Sequence, residues 1–100
     1  MQKRRSTVTR EAAEGLAIQA LSFIAADEER LGRFLAISGI GPAEIRAAAA
    51  EPGFLAGVLE YLAGDEGLVT AFAAERGVDP ADIARAHAAL GGTPWEREVP

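Results

Sequence analysis

Apolar residues recur along most of this chain at three- and four-residue spacing, and the breaks between the stripes hold residues that cap or stop helices. Ala13, Leu16, Ala17, Ala20, Phe23 and Ile24 form the first stripe. With Thr9 as cap and Glu11 in the first turn, it predicts a helix reaching Ala26. Asp27 caps a second helix, whose positive end is met by Glu28 and Glu29; Leu31, Phe34, Leu35 and Ser38 carry it to Gly39. Pro42 opens a third with Ile45, Ala48 and Ala49 inward, and this one must end near Glu51, before Pro52.

The pattern then starts again. Pro52 begins a fourth helix with Phe54, Leu55, Val58, Leu59, Tyr61 and Leu62. Asp65 caps a fifth with Val69, Phe72 and Ala73, which stops at Gly77. The segment Asp79-Pro80-Ala81-Asp82 begins a sixth, with Ile83, Ala86 and Leu90 inward and Gly91-Gly92 at its end. No segment alternates with period two for long enough to predict a strand.

Shifted by 38 residues, positions 13 to 50 overlie 51 to 88 with 13 identities. Five are alanine pairs; the other eight are Gly15/Gly53, Leu21/Leu59, Asp27/Asp65, Glu28/Glu66, Phe34/Phe72, Gly39/Gly77, Pro42/Pro80 and Ile45/Ile83. These positions are caps, corners and core, which a repeated three-helix unit must reuse. The expected fold is therefore all-α, a compact bundle of about six short helices in two pseudo-repeated triplets, about 13–50 and 51–88. The expected organisation is a flexible basic arm over 1–8, one helical domain over 9–91 and a flexible tail over 92–100.

A chain of 100 residues, 49% of them hydrophobic, supports one core and not two. It contains no cysteine, which leaves burial to hold the fold and suits a cytoplasmic setting. No uninterrupted apolar run approaches the length of a membrane span, and no apolar signal core follows the basic start. That Arg-rich start has the composition of a transit peptide over only about ten residues. Lys3, Arg4, Arg5 and Arg10 give the first ten residues a charge of +4 within a net −5, so the other ninety carry −9. Such a body repels phosphate backbones.

Two readings compete for the stretch "SGIGPAEI" at 38–45. In the structural one, Gly39 takes positive φ, Ile40 folds back on Leu35, and Pro42 presets the next helix; Gly77, Val78, Asp79 and Pro80 repeat the device. In the functional one, the stretch resembles a helix-hairpin-helix, whose loop amides hold a DNA phosphate. That alternative makes the chain a weak, sequence-independent nucleic-acid binder, with Lys3, Arg4, Arg5, Gly39 and Gly41 as contacts. Glu44, Asp79 and Asp82 oppose it by placing negative charge where the phosphate would lie.

Catalytic chemistry finds little support. His87 is the sole histidine, so no metal site is expected, and no cofactor motif is present. The carboxylate pairs Glu28/Glu29 and Asp65/Glu66 each begin a helix, where they offset its dipole. The chain reads as a non-enzymatic protein-interaction or adaptor module, binding a protein partner or a second copy, with no membrane role and nucleic acid a lesser prospect. Its candidate contacts are Ile37, which breaks the inner spacing of the second helix, Tyr61, and the only tryptophan, Trp95.

Residues 11–73 also carry a resemblance, through "AIQAL" at 17–21, "ERLGRFL" at 29–35 and "EPGFL" at 51–55. The chain resembles, over about residues 11–90, a small family of alphaproteobacterial proteins known as a domain of unknown function (number 3572). The resemblance implies a cytosolic bacterial protein of one domain, with no established activity and no functional residues to carry over.

Overall fold

A computed structural model describes residues 9–90. Its helices are α1 (Arg10–Ala25), α2 (Glu28–Ser38), a 3-10 turn (Pro42–Glu44) running into α3 (Ile45–Ala48), α4 (Pro52–Ala63), α5 (Glu66–Arg76) and α6 (Pro80–Ala89). No strand occurs among the described residues. The arm 1–8 and the tail beyond residue 90, with Lys3, Arg4, Arg5 and Trp95, lie outside them.

The helix starts follow local chemistry. One Asp27 carboxylate oxygen accepts from the Glu29 and Arg30 amides, at 2.9 and 3.3 Å. Asp65 does the same for Gly67 and Leu68, at 2.9 and 3.2 Å. Each cap satisfies donors that the first turn leaves without intrahelical partners.

α1 and α4 form the centre, with α6 packed on both. Ala13, Ala17 and Ala20 are fully buried, and their small side chains let the neighbouring helices approach α1 closely. Phe23 and Ile24 of α1, Leu55, Val58, Leu59 and Leu62 of α4, and Ile83, Ala86 and Leu90 at α6 fill the interior. α2 and α5 lie outside this centre and bury one residue each, Phe34 and Phe72. No polar or charged residue is buried among those described.

Phe23 meets Phe72 edge-on at 5.4 Å between ring centroids, and Tyr61 meets Phe34 edge-on at 5.1 Å. A shift of 38 residues turns Phe23 into Tyr61 and Phe34 into Phe72, so these two contacts between the halves exchange with each other.

The third helices do not exchange in this way. The expected inner face Ile45, Ala48 and Ala49 is only half-buried, whereas Ile83, Ala86 and Leu90 lie in the core. The third helix of the N-terminal half is a single turn of 3-10 followed by four α-helical residues. Pro52 is the reason it stops early. It holds Glu51 extended, and the amides of Ala50 and Glu51 close i→i−3 turns on Ala47 and Ala48. The sixth helix has no proline beyond its start and continues for 10 residues.

Candidate interaction groove

The two glycine corners stop helices. Gly39 has φ +80° and Gly77 φ +67°, the left-handed conformation that side chains with a Cβ rarely adopt. In the second corner the Val78 amide donates to the Ala73 carbonyl at 3.1 Å, the six-residue bond of a Schellman stop. In the first, a hydroxyl intervenes: the Ile40 amide donates to Ser38 Oγ, and Ser38 Oγ donates to the Leu35 carbonyl, each at 3.4 Å. Position 38 corresponds to Arg76 in the second copy, which has no hydroxyl to insert.

At each corner one of the amides that a phosphate would need is engaged by a carboxylate of the chain itself. Gly41 N–H donates to Glu44 Oε1 at 2.9 Å, and Ala81 N–H donates to Asp79 Oδ1 at 2.9 Å. Pro42 and Pro80 supply no donor. The one arginine on the second corner's following helix, Arg85, is itself 2.7 Å from Asp82. A depression of about 370 Å³ beside this corner is lined by Asp79 and Asp82 among others. An approaching phosphate meets carboxylate oxygens at both corners; Gly39 holds positive φ, and Gly41 is the extended residue that precedes the 3-10 turn.

Ile37 and Tyr61, both candidate contacts from the sequence, come together. Both line a groove between α2 and α4, with Phe34, Ser38, Gly53, Phe54, Gly57 and Val58. Its volume is about 280 Å³ and its walls are almost wholly apolar. Phe34 forms the back wall, 5.1 Å from Tyr61 and 6.0 Å from Phe54 between ring centroids, edge-on to both. Ile37 forms the lip and is 68% exposed, more than any other large hydrophobic residue described.

The floor is made by missing side chains. Gly53 and Gly57 stand one turn apart on α4, and a Cβ built on either meets nothing within 4 Å. Gly57, in mid-helix, costs α4 roughly 0.5–1 kcal/mol relative to alanine, whereas Gly53 lies in its first turn. In the sequence Gly53 stands out only as a repeat match and Gly57 not at all; their signal is this i, i+4 spacing on one helical face. Ile18, 46% exposed on α1, is likewise unmarked in the sequence, but lies outside the groove.

The other half of the molecule does not build the same surface. Under the 38-residue shift Ile37 corresponds to Glu75, Ser38 to Arg76 and Gly57 to Gln19. The apolar groove is thus a property of one side, and no consequence of helix packing common to both halves.

His87 offers no comparable site. Its Nε2 is buried without a hydrogen-bond partner, and the nearest carboxylate, Glu60 Oε1, lies 3.8 Å away, too far for a hydrogen bond. Among the described residues no three metal-ligating side chains converge. No described helix is long and apolar enough to cross a membrane.

A family model described as "Protein of unknown function (DUF3572)" matches residues 10–93. No curated protein and no solved structure matches the chain.

Proposed function

The chain belongs to the DUF3572 family of proteins of unknown function, and we propose that it is a non-enzymatic protein-interaction or adaptor module that uses the α2–α4 groove. The observation that carries this reading is Ile37, an isoleucine left 68% exposed at the rim of an apolar, aromatic-backed cleft. An exposed apolar rim contributes little to folding, and its gain is realised when a partner covers it. Phe54 and Tyr61 supply the rigid aromatic surface on which binding energy concentrates. At about 280 Å³ the cleft is small, at the lower edge of the roughly 300–1,000 Å³ usual for small-molecule sites. It suits one or two anchoring side chains from a protein.

The test is retention of a native binding partner by the full chain against its Ile37→Glu and Gly57→Lys variants. Both substitutions put charge into the groove without touching the core. Loss of a hot-spot contact of about 2 kcal/mol weakens binding roughly 30-fold. If the partner is a second copy, the same substitutions convert dimer to monomer in sedimentation velocity. Undiminished partner retention by both folded variants would overturn the reading.

A further inference from the structure

The groove has a candidate occupant within this chain. α6 runs antiparallel to α4: Ile83 and Ala84 share a depression with Ala63, and His87 faces Glu60. Continuing at equal rise along both helices brings Leu90, the buried end of α6, level with about residues 56–57 of α4. Gly53, Gly57 and Glu60 fall on one stripe of α4, at i, i+4 and i+7. One edge of that stripe meets α6, through Glu60 and His87, and the other meets α2, through Tyr61 and Phe34. The chain therefore leaves α6 beside the glycine floor of the groove.

Beyond Leu90 the chain continues as Gly91-Gly92-Thr93-Pro94-Trp95. Five residues reach at most about 17 Å, against a helix width of about 10 Å to be crossed. Gly53 and Gly57 present no side chain that would obstruct such a crossing. We propose that Trp95, carried by this chain's own segment 91–100, occupies the α2–α4 groove in cis and competes with the protein partner for it. The indole then lies against Phe34, Phe54 and Tyr61, edge-on or offset as aromatic rings prefer. The inference rests on the groove being the interaction surface, and makes its occupancy self-regulated.

Trp95 is the chain's only tryptophan, so indole fluorescence reports the surroundings of this residue alone. In the full chain its emission should be blue-shifted, and quenched by acrylamide less readily, than in the free peptide GGTPWEREVP, with no dependence on protein concentration. Gly57→Leu fills the groove from open space and replaces a glycine in mid-helix, so the fold is retained, as far-UV circular dichroism will check. It should return the emission to the peptide value. Peptide-like emission in the unmodified chain overturns the proposal, as does a blue shift that survives both Gly57→Leu and Gly53→Leu. A shift that appears only as concentration rises also overturns it, since docking would then be between copies. Removing residues 91–100 should tighten partner binding about tenfold if the groove is occupied 90% of the time. Failure here is separable from failure of the interaction reading: a free Trp95 leaves partner loss in Ile37→Glu intact, whereas a docked Trp95 with unchanged partner retention removes only the partner.

Discussion

Phe34 and Ile37 stand one turn apart on α2 and line the same groove, yet their truncation to alanine should differ widely in its cost to folding. Phe34 is 3% exposed and its ring touches both Phe54 and Tyr61. Phe→Ala in a core costs about 3–5 kcal/mol, the sum of lost transfer energy and the void left behind. The groove opens beside the ring, so water can enter the space, and the lower end of about 3 kcal/mol is expected. For a domain of this size that lowers Tm by roughly 12–24 °C. Ile37 is 68% exposed, so only about a third of its side chain is buried. That share is worth about 0.5–1 kcal/mol. Alanine retains some of it and is the better helix former by a few tenths of a kcal/mol. The net change for Ile37→Ala is about 0.5 kcal/mol or less. Urea unfolding followed by far-UV circular dichroism measures both, with equal m-values showing that the transition itself is unchanged. A cost below about 1 kcal/mol for Phe34→Ala, or above about 1.5 kcal/mol for Ile37→Ala, would refute the division of the groove into a structural wall and a functional lip.

The corners give two further expectations. Gly39→Ala and Gly77→Ala should each cost about 1–2 kcal/mol in thermal unfolding, because both positions hold positive φ; neutral substitutions would mean that neither glycine is a left-handed stop. In an amide NMR titration with a short DNA duplex at low salt, residues 39–43 and 78–81 should not shift, since Glu44 and Asp79 already take the Gly41 and Ala81 amides. Shifts concentrated there would restore the helix-hairpin-helix reading.

Local chemistry is what the sequence makes legible. Asp27 and Asp65 cap, and Gly39 and Gly77 stop, through groups within a few residues of each other, so the helix boundaries could be read directly. The fate of the third helix could not. Ile45 matches Ile83 in the repeat, but burial depends on how far the helix extends toward the core, and Pro52 ends it early. The groove was half legible. Ile37 departed visibly from the inner stripe of its helix, whereas Tyr61, Phe34 and Phe54 fell within the apolar stripes of theirs. The floor is an absence, and two glycines become a cleft only when helices stand on either side of them. No spacing rule reveals that. The Ser38 relay is a similar case, since a serine at a helix end reads equally as surface until its hydroxyl is found between Ile40 and Leu35.

The interaction reading is tested most directly by photo-crosslinking in the source cells, with a benzophenone side chain placed at position 37 and, in a matched chain, at position 75. Position 75 is the exposed glutamate that corresponds to Ile37 in the other half of the molecule. A discrete intermolecular adduct from position 37, absent from position 75 and suppressed by Gly57→Lys, is the expected result. Equal adducts from both positions, or none from position 37, would contradict the claim that the α2–α4 groove is where this protein meets its partner.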